Sequence, residues 1–250
     1  MSLAADLRTL YHLTLAPIRG TSHAERLESF YAPQAAAYDR FRERLLHGRQ
    51  ELFGAVPFVS GSRWVDLGGG TAANLLYLGD RLAELERVFV VDLSASLLAV
   101  AKGRVAERGW SNVELVCADA SRFEAPSGQV DVVSCSYSLT MMPDWFAVMD
   151  RAWELLKPGG IIAVVDFFVS RKYAADNTAQ HGWWSRHFWP AWFGRDNVYL
   201  SPDHIPYLQR RFTTLSLVQQ HAPVPYLPGL RVPYYRFLGR KPTEGAPPAA

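Results

Sequence analysis

The stretch Val65-Asp66-Leu67-Gly68-Gly69-Gly70-Thr71 constrains this chain more than any other: a short apolar run interrupted by one acid, then three glycines. An apolar run of that length is the pattern of a buried strand, and the glycines predict a sharp turn into a helix starting near Thr71. Without Cβ atoms, such a turn lets backbone N–H groups crowd a ligand, and the helix N-terminus adds partial positive charge. Two cofactor classes use a turn of this kind, dinucleotides and S-adenosylmethionine. The turn alone does not separate them. Read as Gly68-x-Gly70-x-x-Ala73, it satisfies the dinucleotide fingerprint with Ala at the last position.

From Gly61 onward strands alternate with helices, which predicts a doubly wound, mostly parallel α/β sheet. Strands are expected at Arg63–Leu67, Arg87–Asp92, 112–117, Val130–Ser136 and 161–168. Helices are expected at 71–83, from the cap Ser94 to Gly109, and from about Asp144 to a stop at Lys157-Pro158-Gly159-Gly160. Residues 212–220 and 232–239 then alternate like two closing strands, which brings the sheet to seven. Residues 171–211 break the rhythm with Trp183, Trp184, Phe188, Trp189, Trp192 and Phe193, interleaved with His181, Arg186, His187 and Arg195. Trp184, Phe188 and Trp192 share a helical face, and Pro190 is expected to kink or restart that helix.

Ahead of the sheet, Leu3, Leu7, Leu10, Tyr11 and Leu15 recur at helical spacing up to Pro17. Ser22-His23-Ala24-Glu25 has the form of a capping box. Beyond Pro33, the residues Tyr38, Phe41, Leu45 and Leu52 continue an apolar helical face to about Phe53. The expected organisation is therefore N-terminal helices over 1–60 covering a cofactor site and one domain over 61–240. That domain carries the aromatic insertion at 171–211, and a disordered tail follows over 241–250.

At 250 residues, with 49% hydrophobic and 20% charged residues, the chain can bury a substantial core. A net charge of +2 is too small to argue for nucleic acid. The two cysteines, Cys117 and Cys135, fall in apparent strands and read as buried core residues of a reducing compartment. No clustered His/Cys pattern suggests a metal. Asp6, Arg8 and His12 interrupt the N-terminal apolar residues, so no secretory signal is expected. No run reaches the ~18 apolar residues of a membrane span. A cytoplasmic protein that touches a membrane only peripherally is expected.

Acids sharpen the cofactor question. Asp92 ends the second strand and suits the ribose hydroxyls of either cofactor. Asp119 follows the third strand in Ala118-Asp119-Ala120, where a carboxylate can accept from an adenine amine. All of these lie on the carboxyl edge of the sheet, where open α/β folds bind ligands. Asp66 sits inside the first strand, where dinucleotide enzymes usually have an apolar residue. A buried carboxylate needs partners. The backbone N–H groups of the glycine turn are one choice, and the sulfonium and ammonium of S-adenosylmethionine are the other.

Taken together, Val65–Thr71, Val91-Asp92-Leu93, Ala118-Asp119-Ala120, Val130-Asp131-Val132-Val133 and Leu156-Lys157-Pro158-Gly159-Gly160 resemble, in order and spacing, the class I S-adenosylmethionine-dependent methyltransferases. The resemblance implies a Rossmann-like, seven-stranded doubly wound sheet and S-adenosyl-L-methionine as cofactor. It places Gly68, Gly69 and Gly70 along the methionine end with Asp66 nearby, Asp92 on the ribose, Leu93 against adenine, and Asp119 with Ala120 at the adenine edge. Ser136 and Tyr137 would face the reacting methyl, and Tyr38 would cover the cofactor. The family usually has glycine where this chain has Ala72, and a helical backbone is expected there.

The flanks are more particular. Residues 22–31, Tyr38-Asp39-Arg40-Phe41-Arg42, Trp189-Pro190-Ala191-Trp192-Phe193, Asp196-Asn197-Val198, His204, Tyr207-Leu208, Pro225-Tyr226-Leu227-Pro228 and Pro233-Tyr234-Tyr235 resemble the N-methyltransferases that make betaine lipids. That resemblance implies successive methylation of diacylglyceryl homoserine to diacylglyceryl trimethylhomoserine, with a lipid substrate met at the membrane surface. Tryptophan with arginine is a composition that settles at such an interface. Phosphatidylethanolamine and a polyprenyl quinol are the alternative acceptors. A nicotinamide oxidoreductase rests on the 68–73 fingerprint alone. Methyl transfer does not demand a dedicated base; if one is used, Tyr31, Tyr38, Tyr137 and His204 are the candidates. Arg42, Arg186 and Arg195 are candidates for a headgroup carboxylate.

Overall fold

In the computed structural model, residues 20–32, 38–174, 178–225, 227 and 229–243 are described. The amphipathic pattern of Leu3–Leu15, Pro33 and most of the 241–250 tail lie outside them. Three helices come first: α1 (His23–Tyr31), α2 (Tyr38–Leu45) and α3 (Arg49–Ala55). Ser22 and Glu25 form the expected capping box on α1, each satisfying a backbone N–H of the other's residue. The apolar face read as running to Phe53 is broken in two. Gly48 takes a left-handed backbone (φ 81°) and starts α3 afresh.

The sheet is built from β1 (Arg63–Leu67), β2 (Arg87–Asp92), β3 (Val113–Cys117), β4 (Val130–Ser136), β5 (Leu156–Phe167), β6 (Thr213–Pro223) and β7 (Arg231–Arg240). Their order is β3-β2-β1-β4-β5-β7-β6, with β7 antiparallel to both neighbours and the rest parallel. The fold is Rossmann-like. β1 and β4 are covered on both faces, which is why they read as continuous apolar runs. The order reverses between β1 and β4, and that switch point opens a crevice at their carboxyl ends.

Helices α4 (Ala95–Arg108), α5 (Trp145–Leu155), α6 (Trp183–Phe193) and α7 (His204–Arg211) complete the chain. Ser94 caps α4 and left-handed Gly109 closes it, as the sequence suggests. Five local expectations fail. The helix expected at 71–83 is a run of 3₁₀ turns, Ala73–Glu84, broken at Gly79 (φ 55°, ψ −135°). Helix α5 does stop just before Lys157, at Leu155, but the strand expected from 161 already starts at Leu156. The backbone of Gly159 and Gly160 pairs with Lys241 on the β7 side (2.9 and 2.8 Å). Cys117 is exposed, since β3 is the edge strand and one face of it lacks cover, whereas Cys135 is buried in β4. Pro190 does not restart α6, which runs through it as one helix.

The fifth failure is Ala72. It adopts a left-handed backbone (φ 58°, ψ 19°) with its methyl fully buried, not the helical one expected. An L-residue there carries strain of about 1 kcal/mol that glycine avoids. Ala72→Gly is therefore expected to raise stability by up to ~1 kcal/mol, read as a higher denaturation midpoint at unchanged slope.

Between β5 and β6 the aromatic insertion packs one side of α6 inward. Trp189 and Phe193 are buried, and Phe193 stacks on Phe167 of β5 at 5.0 Å. Trp184, Phe188 and Trp192 form the expected ladder, with ring centroids 4.1 and 5.9 Å apart. Trp183 and Trp184 remain 67% and 49% exposed. No described helix is long and apolar enough to cross a membrane.

Candidate active site

The turn after β1 is pinned to the end of β2. The N–H groups of Gly68 and Gly69 both donate to the Val91 carbonyl (2.8 and 3.1 Å), and Gly70 N–H donates to Asp92 Oδ2 (2.9 Å). A Cβ on Gly68 would fall 2.4 Å from Ser138 Cβ, and one on Gly69 would fall 2.7 Å from Val90 Cγ1. The glycines are thus required by close packing behind the turn as well as by the cavity in front of it.

That cavity, of about 280 Å³, is floored by Gly68, Gly69, Gly70, Asp92 and Leu93, and walled by Ala118, Asp119 and Ala120 on one side. Ser136 and Tyr137 line it from the end of β4. Asp92 Oδ1 accepts from Ser94 N–H (2.8 Å), so two backbone donors fix the carboxylate while each oxygen keeps a lone pair for a ligand. Burial pushes the Asp92 pKa up; the hydrogen bonds from Ser94 and Gly70 and the charge of Arg42 oppose the shift without cancelling it. Asp119 is exposed and held by Ser121, whose N–H and Oγ–H both donate to Oδ1 (2.8 and 2.7 Å).

Asp66 does not line the cavity. It is fully buried behind Gly69, accepting from Asn74 Nδ2 (3.0 Å) and Ser134 Oγ (2.6 Å), while Trp64 Nε1 donates to Ser134 Oγ (2.8 Å). Neither side of the sequence-level choice describes it: its partners are side chains, not the N–H groups of the turn. Burial raises its pKa to about 6, against those hydrogen bonds and the nearby charge of Arg49. Asn74, one of its two donors, does line the cavity.

The remaining candidates separate sharply. Tyr31 is buried and lines the cavity, with the Arg42 guanidinium over its ring at 5.7 Å. Tyr137 has a left-handed backbone (φ 52°), and its hydroxyl donates to the His47 carbonyl (2.7 Å). Burial pushes that phenol well above its usual range, which suits a wall and not a proton acceptor. Tyr38 opens α2, but its side chain is outside the described residues. His204 lies away from the cavity, fully buried against the edge of Trp145 (4.7 Å), and burial alone pushes its pKa down to about 3. Of the three candidate arginines only Arg42 lines the cavity.

Sequence reasoning missed the lining residues Leu27, Leu46, Arg49, Met141, Met142 and Asp144. Leu27 comes from α1, Leu46 from just past the end of α2 and Arg49 from α3, a segment that folds over the crevice. Glu28 on α1 accepts from Ser94 Oγ (2.8 Å) and from Ser96 Oγ, tying that cover to the start of α4. Burial pushes Glu28 up, but the Ser96 and Ser94 donors outweigh it and its pKa is lowered overall. The glycine cradle, the half-satisfied Asp92 and the Leu93–Asp119 wall fit S-adenosylmethionine.

A model of the ubiE/COQ5 methyltransferase family matches residues 49–202. The chain belongs to that family. The match begins at Arg49 and takes in the glycine turn, Asp92, Asp119 and most of the aromatic insertion. A demethylmenaquinone methyltransferase of Geobacillus kaustophilus is 27% identical over 150 residues, 58% of this chain and 64% of the relative. The ubiquinone/menaquinone biosynthesis C-methyltransferase UbiE of Pseudomonas syringae pv. tomato is 26% identical over 169 residues, 65% of this chain and 66% of that one. The chain thus spans a little under two thirds of the length of these relatives. Among solved structures, phosphoethanolamine N-methyltransferase 2 of Haemonchus contortus, in complex with S-adenosyl-L-methionine, aligns with a TM-score of 0.67 at 17% identity. The alignment covers 91% of this chain and 62% of that one, a likeness of fold.

Proposed function

We propose that this member of the ubiE/COQ5 methyltransferase family is an S-adenosylmethionine-dependent N-methyltransferase. Its acceptor is the amine of diacylglyceryl homoserine, methylated in successive steps to diacylglyceryl trimethylhomoserine. The observation that carries the lipid part is α6, whose two sides do different work. Trp189 and Phe193 fasten it, through Phe167, to Tyr137 of the cavity wall (Phe167–Tyr137 4.6 Å), while Trp183 and Trp184 face solvent. No residue of α6 lines the cavity, so its exposed aromatics are free to meet a bilayer surface.

Bound S-adenosylmethionine supplies a methyl group on a sulfonium, a carbon already activated for in-line displacement by a nitrogen lone pair. The chain's own residues position and enclose. Asp92 holds the ribose and Asp119 the adenine edge. Leu27, Tyr31 and Leu46 keep water from the transfer. Exposed Asp144, on the cavity rim, offers a counter-charge to the ammonium that each transfer forms, which a quinol acceptor would not use. A base is not required, because each amine can leave its proton in water before entering.

Carbon methylation of a quinol is the second reading, favoured by the names of the relatives above. Labelled S-adenosylmethionine, incubated with the protein and vesicles carrying diacylglyceryl homoserine, phosphatidylethanolamine or a demethylmenaquinol, separates them. Label is expected in homoserine lipids bearing one, two and three methyl groups. Label in the quinol alone, or in phosphatidylethanolamine alone, contradicts the proposal.

A further inference from the structure

Arg49 opens α3 and lines the cavity, yet it is only 6% exposed. Its Nε donates to the Leu46 carbonyl (3.2 Å), and its guanidinium lies over the Tyr77 ring at 5.4 Å. Nη2 is buried and has no hydrogen-bond partner among the described residues. None of the ion pairs among the described residues involves Arg49. A guanidinium stays charged at any working pH, and a buried, unpaired N–H of a charged group is strongly unfavourable. Such a fork is completed by an anion, and a carboxylate matches its geometry.

Its position narrows the choice of ligand. The Tyr77 ring beneath its guanidinium belongs to the 73–84 turns that follow the glycines, which puts Arg49 on the glycine-turn side of the cavity. The side chain also has little freedom to leave. A Cβ on the preceding Gly48 would meet the Tyr234 ring at 2.7 Å and Arg236 Cδ at 2.9 Å, so α3 starts hard against β7.

We propose that Arg49 is the carboxylate-binding residue of this cavity, its guanidinium donating to the carboxylate of a bound ligand. Two ligands bring that chemistry: the amino-acid end of S-adenosylmethionine, and the homoserine headgroup of the proposed acceptor. The first source rests only on the donor-site reading, and the second on the lipid reading.

Calorimetric titration of S-adenosylmethionine and decarboxylated S-adenosylmethionine into wild type, Arg49→Met and Arg49→Lys tests the first source. If the carboxylate is the cofactor's, Arg49→Met weakens S-adenosylmethionine ~30-fold, leaves the decarboxylated analogue unchanged, and Arg49→Lys recovers part of the loss. Unchanged binding of the analogue also shows that the cavity is folded. If the carboxylate is the acceptor's, S-adenosylmethionine binds Arg49→Met as it binds wild type. KM for diacylglyceryl homoserine then rises ~30-fold while an ethanolamine-headed lipid is unaffected. Equal loss of both cofactor forms, or no change in any of these quantities, overturns the proposal. The cofactor arm reads binding alone, so a failure of the lipid reading leaves its result standing.

Discussion

Gly68→Ala is expected to destabilise the protein by about 2–4 kcal/mol and to abolish cofactor binding at concentrations that saturate the wild type. Two effects add at this position. The backbone is left-handed (φ 71°), which a side chain disfavours, and the new Cβ would sit 2.4 Å from Ser138 Cβ. Ser138 cannot swing away freely, because its Oγ–H donates to the Leu67 carbonyl (2.9 Å) and it is buried. Relief therefore has to come from the turn itself, which carries Gly70 away from Asp92. Chemical denaturation and a binding titration on the same preparation check both halves. Wild-type stability with lost binding, or the reverse, would separate effects that this geometry joins.

The second large effect lies in the aromatic insertion. Trp189→Ala is expected to cost about 3–5 kcal/mol, as for other fully buried tryptophans, since only 1% of Trp189 is exposed and it packs against Phe188 and Phe193. Trp183→Ser and Trp184→Ser, on the outer side of the same helix, are expected to change stability by only about 0.5 kcal/mol each. They should nonetheless reduce co-sedimentation with lipid vesicles several-fold. Circular dichroism melts and vesicle binding distinguish the two classes of tryptophan. Equal vesicle binding by the outer-face variants would remove the membrane contact from the account.

The carboxyl edge of the sheet was legible because its signals are local. β1, β2 and β4 are apolar runs ended by turn residues, Asp92 is the last residue of β2, and Asp119 comes two residues after β3. What escaped was set by tertiary contact. Arg49 stands in His47-Gly48-Arg49-Gln50-Glu51, a stretch that reads as solvent-facing, and it is buried where α3 docks on the 73–84 turns and β7. His204 misleads in the same direction: it follows Asp203 in a polar stretch, but packs under Trp145 with no route to the cavity. Ala72 escaped because alanine favours helix locally, and the bend that denies it a helical backbone is imposed by the turn before it. Asp66 was recognised as unusual for the right reason, a carboxylate inside a strand, but its partners Asn74 and Ser134 come from two other elements.

Asp92 joins the fold to the proposed chemistry, since one carboxylate fastens the glycine turn and also keeps lone pairs facing the cavity, where the proposal puts the ribose. Titration of S-adenosylmethionine and of NADH into wild type and Asp92→Ala tests that role most directly. S-adenosylmethionine is expected to bind the wild type, NADH to give no heat of binding, and Asp92→Ala to weaken S-adenosylmethionine by ~30-fold or more. NADH binding without S-adenosylmethionine binding, or full affinity in Asp92→Ala, would contradict the account.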